Sequence, residues 1–180
     1  RHEAVTGYPR GRTEADRVLL ADTVRSSAVS RTTARTVAVL LALLAVPWSV
    51  QVFSGRDATF LFAWGLFNTN PLSATTLPDF LFVYTQGLPE YILAWPLSVV
   101  LYALALVSAV IGWRTGREDP RVTAGLLVVA AIAQLRVAWG FSVQPARTAW
   151  PTGTAAFLVV VWWCYWPRVQ ARFRRQFDAS

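Results

Sequence analysis

Thr36–Phe53 reads TVAVLLALLAVPWSVQVF, eighteen residues without a charge, and whether it crosses a membrane as one rod decides the fold. A helix rises about 1.5 Å per residue, so roughly 20 mostly apolar residues cross about 30 Å of hydrocarbon. The stretch starts some 35 residues in, behind a long polar segment, too far for a secretory signal, and is expected to be a true span. Three further stretches meet the same criterion. Glu90–Trp113, EYILAWPLSVVLYALALVSAVIGW, is charged only at its first residue. Val122–Phe141, VTAGLLVVAAIAQLRVAWGF, holds one charge, Arg136. Ala149–Trp166, AWPTGTAAFLVVVWWCYW, is uncharged, with Pro151 suited to its first turn and Pro167 marking its end. The expected fold is an all-α, four-helix transmembrane bundle with spans 36–53, 90–113, 122–141 and 149–166.

Composition agrees. Hydrophobic residues make up 54% of the 180, against about 45–50% in ordinary soluble domains, and charged residues 15% against about 25%. A chain this poor in charge would struggle to cover an aqueous surface. The single Cys excludes an internal disulfide framework, and the single His, His2, argues against a His-built metal or haem site. No Walker-type loop, no HExxH and no paired intramembrane carboxylates are present, so the chain is expected to carry no cofactor and to be no enzyme. Met is absent and the chain opens on Arg1, so residues preceding it are expected.

The net charge of +7 has a topological reading. Arg1, Arg10, Arg12, Arg17, Arg25, Arg31 and Arg35 precede the first span. Arg114, Arg117 and Arg121 lie between the second and third, and Arg168, Arg172, Arg174 and Arg175 follow the fourth. The opposite side carries only Arg56 and Arg147. Arginines mark the cytoplasmic side, so both termini are expected there, in a multi-pass protein of the cell membrane. Residues 1–35 then form a basic cytoplasmic segment, 36–167 the membrane domain and 168–180 a basic tail. Within the first segment, Glu14–Ser27 reads as a solvated juxtamembrane helix with Thr13 as its cap. This accounts for the basic excess and leaves the lipid bilayer, with other membrane subunits or a second copy, as expected partners, and no nucleic acid. Trp48, Trp95, Trp139 and Trp150 are expected at the outer headgroup level, and Trp113, Trp163, Tyr165 and Trp166 at the inner one, with packing between helices an equal alternative for Trp95 and Trp162.

Ser54–Pro89 is long for a connection between packed helices, and oily. Its apolar run Ala58–Phe67 suits a helix lying in the interface or re-entering the membrane, closed by the turn residues Asn68, Asn70 and Pro71. Leu81–Tyr84 suits a second interfacial turn. A long interfacial loop between the first two helices is therefore expected.

Arg136 stands out among the side chains, lying some 6–7 Å outward from the middle of its span at about 1.5 Å per residue. Helical side chains tilt toward the helix N-terminus, here toward the membrane centre, so a partner is expected. Glu90 and Asp79 are the acids at plausible depth, making Arg136, Glu90 and Asp79 a candidate intramembrane ion pair or anion site. Cys164, with no base or acid in its span, reads as an inert thiol.

The strings PWSVQVF, FLFAWGLFNTNP, LFVYTQGLPEYILAWPLSVVLYALAL, EDPRVTAGLL and the closing YWP together resemble a small family of uncharacterised four-span membrane proteins of halophilic archaea, some archaeosortase-associated. The resemblance covers roughly residues 36–168, implies location and span count, and brings no catalytic residues. The leading functional expectation is a non-catalytic accessory protein or complex subunit. A small oligomeric transporter or channel for an anionic solute, and an intramembrane enzyme using Arg136 with an outer-loop acid, are the alternatives.

Overall fold

Pro47 breaks the first apolar stretch. Proline disfavours helical geometry in the residue before it, and Val46 is extended at φ −92°, ψ 133°. Helix α1 (Thr32–Ala45) therefore ends in a 3-10 turn, Leu43–Ala45, and the chain leaves as strand β1 (Ser49–Phe53). In β1 the side chains alternate, Ser49 and Gln51 buried, Val50 and Val52 turned outward. The computed structural model describes residues 32–53, 57–83 and 87–177; the helix expected at Glu14–Ser27 lies outside the described residues.

The oily connection is a sheet, not an interfacial helix. Ala58–Leu61 forms β2 and Gly65–Thr69 forms β3, antiparallel neighbours with Thr59 opposite Asn68 and Leu61 opposite Leu66. The run Ala58–Phe67 is rich in aromatic and β-branched residues that suit a pleated surface, and its two halves pair with each other. Asn70 and Pro71 make the turn into β4 (Leu72–Thr76). Gly65 permits that pairing, because a Cβ there would lie 2.3 Å from the Thr75 carbonyl oxygen. Helix α2 (Leu77–Phe82) follows, capped by Thr76, whose hydroxyl accepts from the Asp79 amide. A fifth strand, β5 (Arg147–Trp150), pairs with β1, giving the antiparallel order β4-β3-β2-β1-β5.

Helices α3 (Glu90–Thr115) and α4 (Pro120–Ser142) form a hairpin close to the second and third expected stretches. Gly116, at φ 69°, ends α3 in the left-handed conformation that glycine adopts freely. Asp119 caps α4 by accepting from the Arg121 amide, and Pro120 fills its first turn. The small residues Ala105 and Ala109 of α3 and Ala130 and Ala131 of α4 are buried and bring the helices close, with Ser108 and Thr123 hydroxyls 3.0 Å apart.

The fourth stretch also divides. Its first residues belong to β5; helix α5 (Thr152–Val160) then passes through a π turn, Val161–Tyr165, into α6 (Trp166–Phe177). Pro167 does not end the helix as expected. Proline removes a donor and crowds the carbonyl four residues back; the wider π turn just before it, with the Trp166 amide bonded to the Val161 carbonyl, accommodates it.

The fold is thus not an all-α four-span bundle, and the multi-pass description built on four spans falls with it. It is a five-stranded antiparallel sheet set against helices, and among the described residues α3 and α4 are the two helices long and apolar enough to cross a membrane. Stretch 36–53 fails because Pro47 splits it into helix and strand, and 149–166 because its start pairs with β1.

Two apolar clusters hold the parts together. One gathers Leu40, Leu43, Trp48, Tyr102, Leu127, Phe157 and Tyr165 between the helices. Trp48 is 0% exposed at its centre, edge-on to Tyr102 and Phe157 at 5.1 and 4.8 Å, its indole N–H donating to the Leu43 carbonyl at 3.0 Å. The second joins Leu61 and Leu66 of the sheet to Trp95, Ala133 and Val137, with the Trp95 N–H donating to the Phe62 carbonyl. Trp48 and Trp95 thus pack inside rather than in an outer belt, while Trp139, Trp150, Trp163 and Trp166 are exposed. At the end of the hairpin away from the sheet, Arg168 donates to Glu118 at 3.2 Å, to the Thr36 hydroxyl at 2.9 Å and to the Thr32 carbonyl. The start of α1, the α3–α4 turn and the start of α6 therefore meet at one end.

Candidate functional site

A cavity of about 380 Å³ lies between the inner face of the sheet and the sheet-proximal ends of α3 and α4. Its floor comes from strand register. Residues opposite one another in neighbouring strands share a face, and Gln51, Thr59 and Asn68 stand in one row across β1, β2 and β3. The Thr59 hydroxyl donates to the Asn68 side-chain carbonyl at 2.6 Å, and the Asn68 amide donates to the Ser73 hydroxyl at 3.3 Å. Gln51 stands apart. It is 3% exposed, and its Nε2 has no hydrogen-bond partner.

Arg147 of β5 stands at the rim, exposed, with its guanidinium 5.0 Å from the centre of the Phe53 ring. Register explains the placement, since Arg147 pairs with Phe53 two residues along β1 from Gln51 and so shares its face. The opposite wall is apolar: Ile92 and Trp95 from the first turns of α3, Val137 and Phe141 from the last turns of α4, and Phe80 from α2. Trp95 is pinned by its bond to Phe62 and by Phe80, 5.6 Å away. The site thus combines an unpartnered amide donor, a guanidinium at the mouth and an aromatic wall, in the size range of small-molecule sites.

The three residues singled out in the sequence do not assemble. Arg136 is exposed on α4 between Leu135 and Val137, and no hydrogen bond or ion pair joins it to either acid. Asp79 is used at the start of α2, where its carboxylate accepts from the Thr76 hydroxyl at 2.7 Å. Glu90 is exposed in the first turn of α3. Arg136 also points away from the cavity wall, since Val137 and Phe141, one helical turn apart, hold that face. Cys164 sits half-buried in the π turn.

Gln51 and Arg147 escape sequence reasoning because each was assigned another task, Gln51 as one polar residue in a span and Arg147 as an outer-loop charge. The signal for Gln51 was the S-V-Q-V-F alternation after Pro47, which has a strand's period of two.

No curated protein and no solved structure matches the chain. The model of a family described as a domain of unknown function, DUF8050, matches residues 20–175, and the chain belongs to that family.

Proposed function

We propose that the chain is a non-catalytic accessory subunit embedded in the cell membrane through its helix hairpin, docking a partner helix on the outer face of α4. The membrane part of this reading is supported by what the hairpin exposes. Leu93, Leu97, Val100, Leu104, Val107 and Ile111 line the outer side of α3, and Val122, Val129, Ile132, Leu135 and Trp139 that of α4, all exposed. Soluble monomers rarely show an apolar surface this continuous, and a helix apolar on every side belongs in a core or in lipid. The orientation follows from the arginines: Arg114, Arg117, Arg121 and Arg168 gather at the end away from the sheet, which the positive-inside rule places in the cytoplasm.

The observation that carries the subunit reading is Arg136. It is exposed amid Ile132, Leu135 and Trp139, six residues from the end of α4, with no bond to any described acid. Six residues are about 9 Å of helix, and the side chain leans away from that end. An arginine costs about 2.5–3.5 kcal/mol at the helix centre on insertion scales, and part of that at this depth. A carboxylate on a neighbouring helix removes that cost and fixes the register of the pair.

The test is capture of the tagged full chain from its own membranes in mild detergent, wild type against Arg136→Leu. The expected result is a stoichiometric membrane partner bearing an intramembrane acid, lost in the variant while the melting temperature holds. Recovery of a lone monomer, or a partner retained by Arg136→Leu, refutes the reading.

A further inference from the structure

We propose that the cavity between the sheet and the α3–α4 hairpin binds a small anionic amphiphile, with an acidic head against Gln51 and Arg147 and an apolar tail along Trp95 and Val137. This assignment is independent of any partner at Arg136, which lies on another face of α4.

The head group follows from the donors. Gln51 is enclosed, and its Nε2 is an N–H donor with nothing to donate to. Buried donors are nearly always satisfied, so an unpartnered amide lining a cavity marks where an acceptor oxygen belongs. Thr59 and Asn68 turn to other partners, the Thr59 hydroxyl donating to the Asn68 carbonyl and the Asn68 amide to Ser73, and neither oxygen accepts from Gln51 Nε2. The charge follows from Arg147 at the rim, held in place over Phe53, and from the lining, which contains no acid. A cation therefore finds no acid to pair with there, while an anion finds a donor at depth and a guanidinium at the mouth.

The tail follows from the opposite wall. A head group alone would leave Trp95, Val137 and Phe141 facing water, and a sugar-like polyol would find few partners on that side. A neutral alkyl compound would fill the wall but leave the Gln51 amide unmet. An acid head on an apolar tail satisfies both sides.

The experiment is calorimetric titration of the full chain in zwitterionic nanodiscs, corrected for empty discs, with hexanoate, hexanol and inorganic phosphate as probes. Hexanoate is expected to bind saturably and at least about tenfold more tightly than either of the others, as loss of a hydrogen bond to a charged group or of the tail contact implies. Gln51→Met, which keeps length and removes the donor, is expected to weaken hexanoate about tenfold and leave hexanol unchanged. Arg147→Gln lies on the exposed rim, so the fold does not depend on it; it is expected to weaken hexanoate severalfold and flatten the salt dependence. Hexanol binding as well as hexanoate, phosphate binding as well as hexanoate, or hexanoate binding unaltered by Arg147→Gln each overturns the proposal.

Discussion

Replacing Trp48 separates the observed fold from a continuous first span. At the end of an outer-facing span the indole would sit among headgroups, and Trp48→Ala would cost within about 0.5 kcal/mol, as surface changes do. In the structure Trp48 is 0% exposed, and truncating a buried aromatic costs about 3–5 kcal/mol in lost transfer and cavity terms. Its edge-on contacts with Tyr102 and Phe157 add about 0.5–1.5 kcal/mol each beyond area. The hydrogen bond adds little, because the Leu43 carbonyl keeps a second donor, the Val46 amide at 3.3 Å. The sum is about 4–8 kcal/mol, a large share of the 5–15 kcal/mol typical of a domain. At about 2–4 °C per kcal/mol for a chain of this size, the melting temperature should fall by roughly 8–32 °C. Thermal unfolding in mild detergent, followed by near-ultraviolet circular dichroism, reads this directly. Trp48→Phe keeps a ring between Tyr102 and Phe157 and should lose less than half as much. A drop below about 2 °C for Trp48→Ala refutes the Pro47 break and the core built on it.

Two further perturbations test other joints. Gly65→Val places a Cβ 2.3 Å from a backbone oxygen of β4 that cannot retreat without breaking the pair. It should cost about 2 kcal/mol or more and speed amide exchange in β3 and β4 while α3 and α4 stay protected; unchanged exchange at Leu66 and Phe67 would contradict the register. Arg168→Gln removes the ion pair with Glu118, whose side chain is 9% exposed, together with the bonds to Thr36 and the Thr32 carbonyl. Breaking a buried pair costs about 3–5 kcal/mol when a charge is left alone, and the 25% exposure of Arg168 and the other contacts of Glu118 lower this to about 1–2. Arg168→Lys should recover only part, since one ammonium cannot reach three partners from one fork. Full recovery by Lys in urea unfolding would remove the fork from the account.

The hairpin was legible because it is long. Glu90–Trp113 and Val122–Phe141 fall within two residues of α3 and α4 at each end, and the D-P pair at 119–120, a cap followed by a first-turn proline, would have placed the start of α4 correctly. The sheet was illegible to the same criterion. Counting apolar residues does not distinguish a period of 3.6 from a period of 2 when both faces of a strand are apolar, as Phe60, Leu61, Leu66 and Phe67 are. Pro47 was the missed punctuation: it leaves eleven residues from Thr36 to Val46, too few to cross. Arg136 is exposed among apolar neighbours on α4. Pairing it with Glu90 or Asp79 relied on depth alone, and depth says nothing of which way around a helix a side chain points.

The cavity exists because the sheet meets the hairpin along one row of side chains and not along the next. Leu61 and Leu66, paired across β2 and β3, pack onto Trp95 and Val137. The next row, Gln51, Thr59 and Asn68, is two residues further along each strand, about 6.6 Å at 3.3 Å per residue. Polar side chains there give the helix ends nothing to pack against, so the surfaces part. If the gap were an open margin of the sheet, Gln51 would be solvated; at 3% exposure it is walled in instead, with Arg147 beside the opening. A sheet meant only to cap the hairpin would carry apolar residues in both rows and close the seam. A fold that places an amide, a hydroxyl and a guanidinium together over a tryptophan wall spends packing area to do so, and that loss is offset only when something polar at one end and oily at the other enters.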